Sequence, residues 1–168
     1  MQRAVLSIAA VSFAAGCGGA AAGKAGGRSS KEDDGGPMRF IAENTRCQAG
    51  KDREVLVDLN QDETADVRKI YAKRGDSEVI VCREADLNFD GRLDIFVYFD
   101  EQGAIKRDEL DLDYDGLVDI ISMYASGKVV KQELDTNSDR RVDRVRVLVD
   151  NLPTRVEGDT NADGKVDY

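Results

Sequence analysis

The segment formed by residues 86–94 carries the residue types best suited to chemistry in this chain. Side-chain oxygens stand at its first, third, fifth and ninth positions, a glycine at the sixth, and an apolar residue at the eighth. Alternate residues of a tight loop can direct their oxygens to one point, and Ca²⁺ takes about six to eight oxygen ligands. Gly91 permits the left-handed backbone that closes such a loop. The segment therefore predicts a calcium-binding loop.

The same nine-residue frame occurs five times, starting at residues 58, 86, 111, 135 and 159, and we number these segments loops 1 to 5. Loops 2, 3 and 5 are complete, and their seventh residue is expected to bind metal through its backbone carbonyl. The eighth residue is apolar in every loop, which predicts an anchor to the core. The metal ligands predicted in the complete loops are Asp86, Asn88, Asp90, Arg92, Asp94, Asp111, Asp113, Asp115, Leu117, Asp119, Asp159, Asn161, Asp163, Lys165 and Asp167.

Loops 1 and 4 depart from the frame at the sixth position, where Glu63 and Arg140 replace glycine. A residue with a Cβ is disfavoured in a left-handed backbone, so we expect these two loops to bind a cation weakly or not at all. The alternative for all five loops is that the acidic residues only cap turns through hydrogen bonds to the backbone. The weaker ligands would be Asp58, Asn60, Asp62, Asp66, Asp135, Asn137, Asp139 and Asp143.

The negative charge of the chain is concentrated in these loops. The 168 residues carry a net charge of −9, and sixteen of the 33 acidic residues occupy predicted ligand positions. Such crowding opposes compaction, and a divalent cation in each loop would offset it. No basic stripe is present to neutralise phosphates, which argues against nucleic acid as a partner.

The first 37 residues predict export, a lipid anchor and a tether. Arg3 precedes a mostly apolar run, residues 4–15, that is too short to span a bilayer and is typical of a signal peptide. The sequence Ala-Ala-Gly-Cys at residues 14–17 resembles the lipobox of bacterial lipoproteins. That resemblance implies removal of residues 1–16 and lipidation of Cys17. The alternative is an ordinary signal peptide in which the cysteine is incidental.

The residues after Cys17 extend this interpretation. In lipoproteins the absence of an aspartate after the lipidated cysteine implies the outer membrane, and here Gly18 follows. Residues 17–37 are rich in glycine, alanine, serine and charge, which predicts a flexible linker. We expect residues 38–168 to form one domain.

Two further cysteines, Cys47 and Cys82, lie in the predicted domain. An exported chain meets an oxidising compartment, and with Cys17 lipidated these two remain as a pair. We therefore predict a Cys47–Cys82 disulfide that ties an N-terminal cap to the sheet. Cys82 lies four residues before loop 2. The equivalent residues of the other repeats are charged, which predicts that this position faces solvent. They are Glu54, Arg107, Lys131 and Arg155.

Each repeat predicts a strand, a turn and a second strand between consecutive loops. Residues 95–99 are too rich in β-branched and aromatic side chains to favour helix, residues 100–103 make the turn, and residues 104–110 return to the next loop. The other predicted pairs are 67–72 with 79–85, 120–125 with 128–134, and 145–149 with 154–157. The sequence thus predicts an all-β fold, an antiparallel meander of tandem hairpins.

Alternation along the strands predicts one buried face. Its members include Phe96 and Tyr98, with Ile121, Met123, Val145 and Val147 at the equivalent positions. About nine strands would expose this face if the sheet stayed flat, so we expect it to curl or to fold into two layers. A glutamate also recurs two residues before four loops. These glutamates are Glu84, Glu109, Glu133 and Glu157. Each could complete the metal coordination of a neighbouring loop, but we favour the alternative that they lie on a solvated face and pair with basic neighbours.

The loop frame matches the first nine positions of an EF-hand loop, but the twelfth position lacks the bidentate glutamate. Lys69, Val97, Ser122 or Arg146 stands there, and the flanks predict strands rather than helices. Loop 2 with its strands is similar to the calcium hairpins of FG-GAP repeats, although a 24-residue period is too short for a propeller blade. The whole arrangement resembles calcium-repeat, EF-hand-like lipoproteins of bacterial envelopes.

This resemblance implies a lipid-anchored, calcium-binding structural or adhesive subunit of a cell-envelope assembly, in a setting such as surface adhesion or gliding motility. Its expected partners are the membrane, through the lipid, and other envelope or surface proteins. The alternative is a calcium-responsive regulatory lipoprotein. The chain has no histidine and no G-x-S-x-G elbow, so the sequence does not predict an enzyme.

Overall fold

The computed structural model describes residues 44–161, 163 and 165–168. The predicted signal peptide, the lipidation site Cys17 and the linker therefore lie outside the described residues. All described residues belong to one compact unit, Gly36–Tyr168. No helix with the length and hydrophobicity needed to span a bilayer occurs among the described residues.

The fold is all-β, as predicted, and its nine strands form one antiparallel meander in sequence order. The four predicted strand pairs are confirmed to within a few residues, and a first strand precedes loop 1. The strands are β1 (Arg53–Val57), β2 (Val67–Arg74), β3 (Ser77–Ala85), β4 (Ile95–Phe99), β5 (Ile105–Leu110), β6 (Ile120–Ala125), β7 (Lys128–Leu134), β8 (Arg144–Val149) and β9 (Leu152–Gly158).

The sheet is a single open layer. Among the described strands, contacts join only neighbours, from β1 with β2 to β8 with β9, so the sheet is neither closed nor doubled. Of the two predicted forms, the two-layered one is therefore not found among the described strands. The physical reason lies in the composition of the predicted buried face, which is not continuously apolar.

We call this face, which carries Phe96, face A. Antiparallel pairing places Glu84 and Glu109 directly opposite Phe96, and Ile121 opposite Glu109. Strands with charged side chains on face A, β5, β7 and β9, thus alternate with the apolar strands β4, β6 and β8. Cross-strand neighbours lie on the same face, so the paired charges interrupt the apolar surface and lower the gain from covering it with a second layer.

Register also corrects the predicted orientation of Cys82. This residue pairs with Tyr98 across β3 and β4, so it lies on face A and not on an opposite, solvent-facing side. The predicted Cys47–Cys82 disulfide is present, with Cα atoms 6.0 Å apart. Both cysteines are buried and pack with Ile70. The segment 44–52, which we call the cap, therefore covers the end of face A nearest the N-terminus.

Glu84 is the polar centre of this covered region and is completely buried. One carboxylate oxygen accepts hydrogen bonds from the backbone amides of Arg46 and Cys47, at 2.5 and 2.7 Å. The other oxygen is 2.9 Å from the guanidinium of Arg68, which also donates to the Cys47 carbonyl at 2.9 Å. A buried carboxylate is stable only when it is paired and hydrogen-bonded, so Glu84 fixes the cap to β2 and β3.

The equivalent glutamates of the later repeats, Glu109, Glu133 and Glu157, also pair with basic residues but are progressively less buried. Glu109 is buried and pairs with Arg46 and Arg107, and the Arg46 guanidinium also lies 4.3 Å from the centre of the Phe96 ring. Glu133 and Glu157 pair with the basic residue two positions earlier in their own strands. Pairing with basic neighbours is thus confirmed, whereas a solvated face is wrong for Glu84 and Glu109 because the cap covers them.

We expect Glu84→Ala to lower the free energy of unfolding by about 3–5 kcal/mol. It removes the acceptor of the buried Cys47 amide and one of the two carboxylate partners of Arg68, the other being Glu54. Denaturant titration of the purified protein measures this change. The matched control is Glu78→Ala, which removes an exposed partner of Arg53 and should cost no more than about 1 kcal/mol. Equal effects of the two substitutions would contradict the role assigned to Glu84.

Candidate metal-binding loops

All five acidic loops lie on the side of the sheet where the odd-numbered strands end, because each loop follows an odd-numbered strand of the meander. Four of them connect an odd strand to the next even strand, and loop 5 follows β9. The short hairpin turns connect the strands at the opposite edge. The sequence therefore places its predicted ligands in one row, which we call the loop edge.

Carboxylate-to-amide hydrogen bonds define the conformation of each loop. In loop 2, the Asp86 carboxylate accepts from the backbone amides of Phe89 and Gly91, at 2.7 and 2.8 Å. Asp94 accepts from the amide of Leu87 at 2.6 Å, and Asp90 accepts from that of Arg92 at 2.8 Å. The first and ninth aspartates thus close the loop from both ends.

The same bonds recur throughout the row. In all five loops the ninth aspartate accepts from the amide of the second residue, at 2.6–2.8 Å. In loops 1 to 4 the first aspartate accepts from the amide of the sixth residue, at 2.7–2.9 Å. These are the turn-capping bonds of the alternative interpretation. They do not exclude a cation, because each carboxylate oxygen has a second lone pair.

Backbone strain distinguishes the incomplete loops, as predicted. Glu63 and Arg140 adopt φ values of 71° and 70°, in the left-handed region that Gly91 and Gly116 occupy with φ of 86° and 89°. The structure thus forces the same turn on residues that disfavour it.

A second left-handed position was not predicted. The fourth residue has φ between 57° and 66° in loops 1 to 4 although none of these residues is glycine. The bond from its amide to the first aspartate accounts for this conformation in loops 1, 2 and 3. The sequence carries no glycine signal there, and only the repeated first aspartate hints at the turn. The four residues are Gln61, Phe89, Tyr114 and Ser138.

Successive loops are joined by a ladder of backbone hydrogen bonds. The amide of the first aspartate in loops 2 to 5 donates to the carbonyl of the ninth aspartate in the preceding loop, at 2.8–2.9 Å. The ladder therefore brings acidic residues of neighbouring loops together at the spacing of β-strands. The donor and acceptor pairs are Asp86 with Asp66, Asp111 with Asp94, Asp135 with Asp119, and Asp159 with Asp143.

This crowding makes the middle of the loop edge a poor environment for bare negative charge. Asp94 is only 1% exposed, and its pKa is raised by desolvation and by the charges of Asp86 and Asp111. Desolvation also raises the pKa of Asp111, with the charges of Asp115 and Asp119 adding to it. A cation is the group whose binding would relieve both effects.

Loop 3 comes closest to a metal cradle. Oxygens of Asp111, Asp113 and Asp115 lie within 4.8 Å of one another, and no other group of three acidic, cysteine or histidine ligands that close is found among the described residues. Loop 3 is also the one loop with aspartate, rather than asparagine, at its third position. The remaining predicted ligands occupy the same loop positions without forming such a carboxylate group.

The eighth and seventh residues of the loops differ in part from the predictions. The eighth-position anchor holds in loops 1 and 2, where Ala65 and Leu93 are buried. Val142 and Val166 are 47% and 63% exposed, because no segment within the described part of the chain covers face A there. The seventh-position side chain is also less free than expected. The Arg92 guanidinium donates to the backbone carbonyl of Asp115 at 3.3 Å and so links loops 2 and 3.

No family model matches the chain, and no curated protein matches it. Among solved structures it is similar to the crystal structure of accessory secretory protein 1, 2 and 3 from Streptococcus pneumoniae, at 14% sequence identity and a TM-score of 0.46. The match covers 73% of this chain and 22% of that one. The chain therefore spans about a fifth of the length of the protein that it matches.

We expect substitutions at the sixth residues of loops 2 and 4 to change the stability of the protein in opposite directions. Gly91→Ala should lower the free energy of unfolding by about 1–2 kcal/mol, because alanine pays the cost of the left-handed backbone. No neighbouring atom lies within 4 Å of the added Cβ, so the effect is that of the backbone alone. Arg140→Gly should raise the free energy of unfolding by about 0.5–1 kcal/mol, since part of the relief is offset by the freer unfolded chain. Denaturation in chelator measures both, and a change of the same sign in the two variants would contradict the assigned strain.

Proposed function

We propose that this protein is a lipid-anchored, calcium-binding structural or adhesive subunit of a cell-envelope assembly, with Cys17 as the lipidated residue. The observation that carries the proposal is the row of acidic loops on one sheet edge, in which Asp94 is buried between the carboxylates of Asp86 and Asp111. Oxygen donors favour a hard cation, and we assign calcium because each complete loop offers five predicted protein oxygens, whereas Mg²⁺ is usually held by one or two carboxylates and several waters.

Several features support calcium as a permanent part of the fold rather than a transient signal. The loops are tied to one another through backbone bonds from Asp86 to Asp66 and from Asp111 to Asp94, so a cation in one loop would brace its neighbours. Extracellular calcium modules bind at roughly 10⁻⁴–10⁻³ M. At such affinities the loops would remain filled outside the cell and would act as braces of the sheet.

The structural role follows from the shape of the repeat. Each unit of about 24 residues contributes a hairpin and a loop, and its strands contact only the adjacent strands. Such nearest-neighbour arrays present long surfaces suited to holding partners. The lipidated cysteine and the linker would keep the sheet beside the outer membrane, where envelope or surface proteins are the available partners.

We expect calcium to raise the melting temperature of the purified protein and chelation to lower it. At a free concentration of about 100 times Kd, binding adds about 2.7 kcal/mol per site to the free energy of unfolding. Asp90→Ala and Asp115→Ala, which remove the fifth-position carboxylates of loops 2 and 3, should each lose part of the calcium-dependent shift. Calorimetric melts with calcium and with chelator measure it.

The matched control is Asp100→Ala, in the hairpin turn at the opposite edge, where the carboxylate accepts from the amides of Gln102 and Ala104. This substitution should change the melting temperature but not its dependence on calcium. A melt that calcium leaves unchanged would refute the structural role of the ion. Micromolar binding accompanied by a large change in scattering radius would instead favour the calcium-responsive regulator.

A further inference from the structure

Strand β9 occupies one end of the sheet and pairs only with β8 among the described strands. A strand in that position presents backbone amides and carbonyls in the plane of the sheet, which makes it a template for pairing with another chain. Natural edge strands are commonly blunted by bulges, lysines or prolines. In β9 the backbone is interrupted only at Pro153 and at the irregular pairing beside it, at the end remote from loop 5. The charged side chains of Arg155 and Glu157 are the other protective feature of this strand.

The first step of a further ladder is already formed on this edge. The Gly158 amide donates to the carbonyl of Tyr168 at 3.2 Å, and the Gly158 carbonyl accepts from the amide of Asp167 at 2.7 Å. A Cβ on Gly158 would collide with the Tyr168 ring, so glycine is needed for this approach. Since backbone groups alternate in direction along a strand, the amide and carbonyl of Val156 point to the same open edge.

The preceding repeat shows how such a ladder continues. Leu134, the equivalent of Gly158, accepts from the amide of Asp143 at 2.8 Å and pairs with Arg144. The pairing then proceeds to Gln132, the equivalent of Val156, opposite Arg146 on β8. The edge of β9 therefore has the geometry that β7 uses to hold β8.

The side chains of face A specify what kind of strand would fit. Within the sheet, β5 lies between apolar strands β4 and β6, and β7 lies between β6 and β8. Charged Arg155 and Glu157 of β9 face Val147 and Val145 of β8 in the same way. By the same pattern, a second apolar strand would fit on the other side of β9.

The apolar surface at this end of the sheet is correspondingly uncovered. On face A of β8, Val147 is 37% exposed, whereas Phe96 in the middle of the sheet is 2% exposed. Val156 of β9 pairs with Arg146 and is 40% exposed on the other face. A strand added beside β9 would extend face A sideways and would place Arg155 and Glu157 between two apolar strands, as Lys131 and Glu133 lie in β7.

We propose that the open edge of β9 binds one extended segment of a separate polypeptide, antiparallel to β9, with apolar side chains opposite Glu157 and Arg155. This is the β-augmentation mode of recognition, in which main-chain bonds supply affinity and alternate side chains supply specificity. The inference deepens the proposed role as an assembly subunit by assigning its attachment surface. It does not rest on calcium binding.

The probe is a fluorescein-labelled peptide with the sequence of residues 143–150, because β8 fits the equivalent edge of β7. Fluorescence anisotropy should show saturable binding to the full chain. A control peptide with serine at the two face A valines, Val145 and Val147, should bind at least about tenfold more weakly, since it lacks the apolar pair.

The test of location is Val156→Pro, which removes the amide that points to the open edge and none that bonds to β8. It should weaken peptide binding by about tenfold or more and leave the melting temperature nearly unchanged. The matched variant is Gln132→Pro in β7, where the equivalent amide donates to β8. That variant should lower the melting temperature markedly, which verifies the assigned direction of the backbone.

Absence of saturable binding, or equal binding to the wild type and Val156→Pro, would overturn the proposal. Sedimentation addresses the competing occupant. Self-association that Val156→Pro abolishes, with no binding of the peptide, would assign the edge to a second copy of this chain and would also overturn it. None of these outcomes alters the calcium dependence of the melt, so failure here is distinguishable from failure of the proposed calcium role.

Discussion

The loop edge depends on one arrangement, in which the first aspartate of loops 2 to 5 donates a backbone hydrogen bond to the ninth aspartate of the preceding loop. The ladder fixes the loops in register with the strands, and the carboxylates then close each loop on its own amides. The same geometry concentrates negative charge at Asp86, Asp94 and Asp111 in a partly desolvated site. The proposed cation would offset this repulsion, so its binding would stabilise the fold.

Away from the loop edge, the sheet is stabilised by alternating charged and apolar strands rather than by a deep apolar core. At the N-terminal end, the cap supplies the missing cover, since Cys47 bonds to Cys82 and Arg46 spans from Phe96 to Glu109. At the C-terminal end no described segment plays that role, and Val166 and Leu152 are exposed. The two ends of one repetitive sheet are thus chemically different, because the cap covers face A at one end only.

Local features of the structure were predictable from sequence, whereas relations between strands were less so. The frame at residues 86–94 and the β-branched run at Ile95–Phe99 specify a loop and a strand without reference to the rest of the chain. The face of Cys82 was mispredicted because its column was judged by the exposure of charged residues, while the register with Tyr98 decides it. The burial of Glu84 likewise depends on the cap, whose sequence has no strand or helix periodicity.

The same limit applies to the candidate site. The spacing of the acidic residues predicted which positions line the loops, and the missing glycines predicted strain at Glu63 and Arg140. The left-handed fourth residue and the bond from Arg92 to Asp115 were not predictable, since they arise from the closed loop and from its neighbour. The choice between a single sheet and two layers was also left open by the sequence, because the pairing of Glu109 with Arg46 depends on the cap.

The most direct test of the central claim is terbium luminescence, because Tb³⁺ occupies calcium sites and is excited by nearby tyrosine. Tyr114 lies within loop 3, between Asp113 and Asp115, and can act as the donor. Titration of the protein with Tb³⁺ should give saturable luminescence that excess Ca²⁺ displaces and that Tyr114→Phe strongly reduces. Luminescence that never saturates, or that Ca²⁺ does not displace, would contradict the claim that the loop edge is built around calcium.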